Sequence, residues 1–345
     1  MTATIEFCRR LPKAELHMHL DGSIRPATML ELARERDVGM PAGTPETLAD
    51  YMLVSDAASL EEYLERFVIT LSIMQDADAI ERIAYECVID HASEQVRYVE
   101  VRFCPLLNTE MGLAPEEVLD AALRGMGRAE RAVGASTRVR SRLIVCALRS
   151  HTAKHTLEVA ELAVAYRNRG VCGFDIAGAE AGNPVSDHKK AFDYVHAMGL
   201  PITIHAGEGF GAASIRQALE LGHASRIGHG TRLYEDPALQ GELRKKGIPL
   251  EVCLTSNVQT RVADSIAAHP ARSYVQDGIP VVIGTDNRLM SGVDLSDEYA
   301  SAASAFGLDQ TAIIGLARTA FEHAFVTPGE RVTLLEDFDR AAAAL

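Results

Sequence analysis

Paired cysteines, basic tracts and long apolar runs are all missing from this sequence of 345 residues. None of the six cysteines is spaced as CxxC, and most lie in apolar stretches, which favours buried free thiols over disulfides or a thiolate metal site. No stretch approaches the roughly 20 apolar residues of a membrane-spanning helix, so we expect no membrane association. Because the formal net charge is −14 and no Lys/Arg tract offsets it, phosphates would be repelled and nucleic acid is not an expected partner.

Segments that direct or divide a protein are also missing. The first residues include Glu6, Arg9 and Arg10 with no apolar core behind them, which does not match a secretory signal. No linker, repeat or low-complexity segment interrupts the chain, and 47% of the residues are hydrophobic, which is enough for a large core. We therefore expect a cytoplasmic protein in which residues 1–345 form a single domain. Its oligomeric state is left open.

Short apolar runs rich in Val and Ile alternate with longer segments of helical periodicity. The runs that predict strands are residues 14–20, 96–103, 142–148, 171–176, 201–205, 225–229, 249–254 and 280–284. The periodic segments predict helices near residues 80–91, 116–133, 156–168, 187–198, 212–221, 237–246 and 262–276. Eight strands alternating with helices are typical of an α/β fold, the (β/α)8 TIM barrel, here with an extended helical insert after strand 1 at residues 25–95. An open doubly wound sheet would have fewer strands, and no GxGxxG follows the first one.

One apolar stripe in the insert has two interpretations. Leu60, Tyr63, Leu64 and Phe67 recur at helical spacing. The favoured interpretation is a helix that packs on the barrel with this face. Because the insert begins just beyond strand 1, at the mouth of the barrel, the alternative is that the stripe covers a bound ligand.

The first strand carries two histidines that can chelate a metal. Side chains alternate between the faces of a strand, so His17 and His19 point to one side and Asp21 follows one step later. Taken alone, such a pair is more often one core histidine and one solvated histidine. Active sites of these barrels lie where the strands end, and the ends of strands 5, 6 and 8 also carry polar side chains. These are His205, Glu208, His229 and Asp286.

This convergence predicts a metal centre at the rim of the barrel. Neutral imidazoles with one carboxylate suit Zn²⁺ best, and Fe²⁺ or Co²⁺ accept the same donors. The ligands that we assign are His17, His19, His205 and Asp286. A cation held there lowers the pKa of a bound water and turns it into a nucleophile near neutral pH. Glu208 and His229 remain as acid and base, because a dry pocket favours a protonated carboxyl. The alternative for Glu208 is a salt bridge behind the site.

At these residues the sequence resembles the adenosine deaminase branch of the metal-dependent amidohydrolases. The matching motifs run from Leu11 to Asn287 and are, in order, LPKAELHMHLDGS, YVEVRF, GFDIAGAE, ITIHAGEG, RIGHG and GTDN. The resemblance implies a TIM barrel with one zinc ion per chain. It also implies hydrolytic deamination of adenosine and 2′-deoxyadenosine to inosine and 2′-deoxyinosine plus ammonia, a reaction of purine salvage.

The resemblance also implies roles for single residues. Zinc would be held by His17, His19, His205 and Asp286, with His19 also beside the substrate. Glu208 would give a proton to purine N1, which makes C6 more electrophilic. His229 would orient the attacking water and take part in proton transfer, with help from Asp286.

Three further residues would contact the substrate. The backbone N–H of Gly178 would bind purine N3, and Asp21 would hydrogen-bond the ribose 5′-hydroxyl. Asn287 departs from the family pattern, in which many members have a second Asp that contacts purine N7. An Asn amide can still donate to N7, so we interpret Asn287 as a tolerated variant.

Several alternatives remain open from the sequence. A two-metal amidohydrolase would often have a modified Lys after strand 4, and residues 171–176 contain none. A cytidine-type zinc deaminase is excluded, because no HxE is paired with PCxxC. A binding barrel with a vestigial site would need one of the roles above to be vacant. Within the family, the substrate would alternatively be a 5′-substituted adenosine (aminodeoxyfutalosine or methylthioadenosine) or adenine, and Arg149 and His151 have no assigned role.

Overall fold

The computed structural model describes residues 2–54, 60–134 and 138–345, and its strands all run parallel. The strands are β1 (Lys13–His19), β2 (Val96–Phe103), β3 (Arg140–Leu148), β4 (Val171–Ala177), β5 (Thr203–Ala206), β6 (Arg226–His229), β7 (Leu250–Val252) and β8 (Val281–Ile283). The α-helices are α1 (Ile5–Arg10), α2 (Pro26–Glu35), α3 (Pro45–Met52), α4 (Leu60–Leu64), α5 (Phe67–Leu71), α6 (Ala77–Ser93), α7 (Pro115–Val133), α8 (Ala153–Ala165), α9 (Lys189–Ala197), α10 (Ala212–Glu220), α11 (Pro237–Lys246), α12 (Leu254–Gln259), α13 (Ala271–Gln276), α14 (Arg288–Ser291), α15 (Leu295–Phe306), α16 (Gln310–His323) and α17 (Pro328–Ala342).

The eight strands close into a barrel. Strands β1 to β4 pair in sequence order, and so do β5 to β8. The two halves meet through parallel bridges between Phe174 and Ile202 and between Met18 and Asp286. At the second junction the His19 N–H donates to the Asp286 carbonyl at 2.7 Å. The predicted (β/α)8 barrel is therefore confirmed, and every predicted strand is present.

Burial on both faces explains why these strands have no polar alternation. Residues of β4, β5, β6 and β8 are all buried, since helices cover the outside and side chains fill the inside. The six cysteines are buried and free, as the sequence predicts. Among the described helices, none is long and apolar enough to cross a membrane.

The insert after β1 is helical, as predicted. It contains α2 to α6, and its residues 55–59 lie outside the described part of the chain. The longest of its helices, α6, starts where the Asp76 side chain accepts the backbone N–H of Ala79 at 2.9 Å. The apolar stripe lies on α4 and α5, which places it over the carboxyl ends of the strands.

One predicted helix is largely wrong. Of residues 262–276, only α13 (Ala271–Gln276) is helical, and the chain before it forms turns. The residue that precedes a proline is pushed away from helical angles, and a proline removes a backbone donor, so both effects disfavour a helix that runs through His269 into Pro270. Upstream, Arg261 has a left-handed φ of 61°, and this turn ends the preceding helical segment.

Candidate active site

Four side chains from three strands converge at the rim of the barrel. The ligand atoms of His17, His19, His205 and Asp286 all lie within 4.8 Å of one another. Nε2 of His19 is 3.1 Å from Nε2 of His205 and 3.4 Å from Oδ1 of Asp286. The structure thus brings together the four residues assigned as ligands from the sequence.

The geometry of this cluster fits a single tetrahedral cation. Two nitrogens bound to zinc at about 2.0–2.1 Å with a tetrahedral angle are about 3.3 Å apart, close to the separation of the His19 and His205 nitrogens. Nε2 of His17 is buried and has no hydrogen-bond partner among the described residues, although Oδ1 of Asp286 lies 3.5 Å away. A bound cation would give these three imidazole nitrogens, of His17, His19 and His205, a common partner for their lone pairs.

The protonation of the cluster also fits metal ligands. Burial lowers the pKa of His19 and of His205, so both imidazoles keep a free lone pair. Burial opposes ionisation of Asp286, but the close contact with His17 and the charges of the nearby imidazoles hold the pKa of Asp286 well below the ordinary value. Burial likewise opposes a charged His17, but Asp286 and Glu251 raise its pKa, so cation binding would displace that proton.

Buried carboxylates below the rim orient two of the histidines. Nδ1 of His17 is 2.8 Å from Oε2 of Glu251, and Nδ1 of His205 is 3.0 Å from Oδ2 of Asp175. The guanidinium of Arg102 donates to both carboxylates, at 2.9 Å and 2.7 Å. Sequence reasoning missed these three residues, although charged residues inside buried strands are a usable signal. Such supporting contacts select the ring orientation that turns Nε2 toward the centre of the cluster, where a cation would lie.

Glu208 and His229 lie beside the cluster. Nε2 of His229 is 3.5 Å from Oε2 of Glu208, and both side chains are buried. The loop that carries Glu208 is held by Glu180, whose carboxylate accepts the N–H groups of Gly207 (2.7 Å), Glu208 (3.0 Å) and Phe210 (2.9 Å). Sequence reasoning also missed Glu180, which follows Gly178 in a motif that it had singled out.

The backbone is strained at two of these residues. His229 and Asp286 have φ angles of 60° and 59°, in the left-handed region that costs a non-glycine residue on the order of 1–3 kcal/mol. His229 is the last residue of β6 and Asp286 follows β8, and the turn at each residue aims its side chain into the mouth of the barrel. Strain of this kind persists where the surrounding structure holds it, which is typical of functional sites.

The residues predicted to contact a substrate line a cavity of about 310 Å³ above the cluster. Oδ1 of Asp21 is buried and has no hydrogen-bond partner in the described parts of the chain, and burial raises the pKa of this carboxyl to about 7. Oδ1 of Asn287 likewise has no partner within those described parts, and it lies 1.8 Å from the place that a Cβ on Gly22 would need. Gly178 has a φ of 95°, and a Cβ there would meet no described atom closer than 3.9 Å. Backbone conformation, rather than crowding by protein atoms, therefore requires this glycine.

Most of the remaining lining is apolar, and it includes the stripe of the insert. The cavity is lined by Leu60, Tyr63, Leu64, Phe67, Leu71, Leu107 and Leu148 among others. The stripe thus contributes to the cavity, in line with the alternative that it covers a ligand.

The structure also shows where Arg149 and His151 lie. Arg149 donates to the carbonyls of Asn183 (2.6 Å) and His205 (2.7 Å), which anchors the strand end that carries His205. His151 lies near His155, with a ring separation of 5.8 Å.

Comparison with known proteins identifies the family of this chain. The family model "Adenosine deaminase" matches residues 12–341. An adenosine deaminase of Mycobacteroides abscessus is 42% identical, covering 98% of this chain and 97% of its own length. The crystal structure of an Arabidopsis N6-mAMP deaminase is 30% identical with a TM-score of 0.86, covering 97% of this chain and 99% of that one. An adenine deaminase of Arthrobacter aurescens is 25% identical with a TM-score of 0.86, covering 96% and 98%. The chain is thus an enzyme that belongs to the adenosine deaminase family.

Proposed function

We propose that this enzyme is a zinc-dependent hydrolase that deaminates adenosine and 2′-deoxyadenosine to inosine and 2′-deoxyinosine plus ammonia. The observation that carries the proposal is the set of three imidazoles and one carboxylate beside Glu208 in an apolar cavity. We further propose that residues 1–345 act as one catalytic unit, and that this unit serves purine salvage in the cytoplasm.

The donor set supports one zinc ion per chain. Three imidazoles and one carboxylate are typical ligands of zinc, whereas magnesium and calcium prefer oxygen ligands. Within the described residues a second possible group contains His17, His229 and Cys253, and it shares His17 with the first. The two groups therefore cannot be filled independently. A cation held by the four ligands supplies a water nucleophile at neutral pH.

The other residues act on the purine ring. Glu208 gives a proton to purine N1, which draws electrons from C6 and prepares it for attack. His229 faces the same space and orients the attacking water. The oxygen adds to C6, the amino group takes one proton of the water, and the C6–N bond breaks so that ammonia leaves. The second proton of the water restores Glu208, and the proton that Glu208 gave stays on N1 of the product. Asn287 and the backbone of Gly178 hold the base in place.

The charge of the cavity supports a nucleoside rather than a nucleotide. Its lining includes the carboxylates of Asp21, Glu208 and Asp286. None of the described residues that line it is a lysine or an arginine. A 5′-phosphate would therefore lie among acidic side chains without a basic side chain to pair with, and a buried charge that is left unpaired is costly. This separates the proposed substrate from that of the N6-mAMP deaminase to which the chain is similar.

The orphaned oxygen of Asp21 supports a free 5′-hydroxyl. A buried acceptor without a donor costs about 1–3 kcal/mol, and the ribose hydroxyl would supply that donor. Substrates that lack the hydroxyl, such as 5′-deoxyadenosine or methylthioadenosine, would leave Oδ1 unpaired. Adenine lacks the whole sugar.

The test compares kcat/KM for adenosine, 5′-deoxyadenosine, methylthioadenosine, adenine and AMP on the zinc-loaded enzyme. We expect 5′-deoxyadenosine to be about 10–100-fold poorer than adenosine, and AMP at least about 100-fold poorer. Asp21→Ala should bring adenosine and 5′-deoxyadenosine to similar values, whereas Asp187→Ala, at an exposed position, should leave their ratio unchanged. Preference for a 5′-substituted substrate, for adenine or for AMP over adenosine would overturn the proposal.

A further inference from the structure

A chain of buried hydrogen bonds leads away from the candidate site behind His229. Nδ1 of His229 is 3.0 Å from Nδ2 of Asn257. Oδ1 of Asn257 is 3.1 Å from Nε2 of His269 and 3.0 Å from Oγ1 of Thr231. Nδ1 of His269 accepts the backbone N–H of Ala271 at 3.1 Å. The four side chains of this relay (His229, Asn257, His269 and Thr231) are at most 2% exposed, so their polar atoms depend on one another.

The direction of each bond follows from the far end of the relay. The backbone N–H of Ala271 is a donor, so Nδ1 of His269 must offer a lone pair. A neutral imidazole carries one proton, which places the proton of His269 on Nε2. That N–H can only donate, and it therefore faces the oxygen of Asn257 rather than its nitrogen. Burial lowers the pKa of His269 to about 4, which agrees with a neutral ring.

The same logic reaches His229. Because the oxygen of Asn257 faces His269 and Thr231, the amide nitrogen faces His229 and donates to it. Nδ1 of His229 is then an acceptor, and the only proton of the ring sits on Nε2. An inverted Asn257 would leave His269 without a proton on either nitrogen, which a neutral imidazole does not allow.

We propose that Asn257 and His269 are positioning residues that hold His229 in the tautomer protonated at Nε2. His229 then presents an N–H donor to the attacking oxygen and cannot take a proton from it. This assigns His229 to orientation and charge stabilisation, and it leaves proton acceptance to a carboxylate. The kinetic consequence depends on the proposed function, whereas the tautomer itself does not.

The loop that carries His269 is tied to the same residue. The backbone carbonyl of Asn257 accepts the N–H groups of Val262 and Ala263, each at 2.9 Å. The turns that replace the predicted helix at residues 262–270 thus start at Asn257 and return His269 to its side chain. This path explains why a helix is absent there, because a continuous helix would not be held at both ends by one residue.

The test reads the tautomer directly. Zinc-loaded enzyme with ¹⁵N-labelled histidine is studied by long-range ¹H–¹⁵N NMR, and the His229 ring is assigned by its loss in His229→Asn. We expect a protonated-type shift for Nε2 and an unprotonated-type shift for Nδ1. In Asn257→Asp the side chain at position 257 offers only acceptors to His229, so Nδ1 of His229 should become protonated. With this change, kcat should fall by about 100-fold or more, with little change in KM.

Two further variants separate the relay from general packing. Thr231→Val removes one donor but leaves His269 to orient Asn257, so the tautomer of His229 should stay as in the wild type. His269→Phe frees the amide of Asn257 to invert, and it should produce both tautomers even if Asn257→Asp fails to fold. Zinc content and melting temperature are measured for each variant. A wild-type His229 protonated at Nδ1, or an unchanged tautomer in His269→Phe, would overturn the inference whether or not the enzyme deaminates adenosine.

Discussion

The lower interior of the barrel and the rim above it both bury charged side chains, but they differ in how many hydrogen-bond partners the polar atoms have. In the interior, Oε1 of Glu251 accepts from Thr203 (2.9 Å) and Arg226 (2.6 Å), and Oε2 accepts from Arg102 (2.9 Å) and lies 2.8 Å from Nδ1 of His17. Each of these partners comes from a different strand, so one carboxylate joins several strands.

In this network Nε of Arg102 is left without a hydrogen-bond partner among the described residues, and at the rim several such atoms lie close together. Nε2 of His17, Oδ1 of Asp21 and Oδ1 of Asn287 are buried and have no hydrogen bond among the described residues. An unpaired buried polar atom costs about 1–3 kcal/mol, so folding alone does not favour this arrangement. His17 belongs to both regions, with one nitrogen on the interior network and the other facing the rim. The difference indicates that interior charges stabilise and orient, whereas rim atoms are kept for a cation and a substrate.

The prediction with the largest expected effect concerns kcat and a substitution at the rim. Glu208→Gln should keep zinc content and melting temperature near those of the wild type, because Glu180 still holds the loop through its backbone. Loss of the proton donor should lower kcat by about 100- to 10,000-fold. Stopped assays of adenosine turnover and metal analysis check this. Glu220→Gln, on the exposed end of α10, is the matched control and should be active. A near-normal kcat would remove Glu208 from its acid role.

The second prediction tests the interior. Glu251→Gln leaves Arg102 and Arg226 with less negative charge in a buried place, and breaking such a pair costs about 3–5 kcal/mol. The variant should also bind zinc about 10- to 100-fold more weakly, because His17 loses its orienting partner. Urea unfolding and competition with a chelator measure the two effects. Asp120→Asn breaks the surface pair with Arg169 and should change the free energy of unfolding by less than about 1 kcal/mol. Equal stability of the two variants would contradict the contrast between interior and surface.

The smallest expected effect concerns a buried histidine outside both regions. Nδ1 of His91 is 2.7 Å from the carbonyl of Cys87, and burial lowers the pKa of His91 from 6.5 to about 3. Because the folded pKa lies below the unfolded one, the unfolded chain binds the extra proton, and stability falls as pH drops below about 6.5.

The linkage between proton binding and folding sets the size of this pH effect. Between about pH 6 and pH 4.5, the wild type should lose up to about 1.4 kcal/mol per pH unit more than His91→Gln. Urea unfolding across this range measures the difference in slope. His155→Gln, at an exposed position, should follow the wild type. Parallel curves for wild type and His91→Gln would show that His91 does not carry this pH dependence.

Much of the candidate site could be predicted because local patterns encode it. Alternation along one strand places His17 and His19 on one side, and the ends of parallel strands share one rim, so His205 and Asp286 were expected nearby. The apolar runs that become strands are buried on both faces, which makes them recognisable without knowing their partners. The stripe from Leu60 to Phe67 was ambiguous, because packing on a barrel and covering a ligand require the same spacing.

The sequence by itself determined the barrel, the convergence of His17, His19, His205 and Asp286, and the place of Glu208 beside them, because these depend on periodicity and on where strands end. Only the tertiary structure decided what surrounds them. Glu251 and Arg102 are far from His17 along the chain, and His269 reaches Asn257 through turns where the periodicity predicts a helix. Hydrogen bonds of this kind depend on the directions of side chains brought together from separate segments, and no local pattern records those directions.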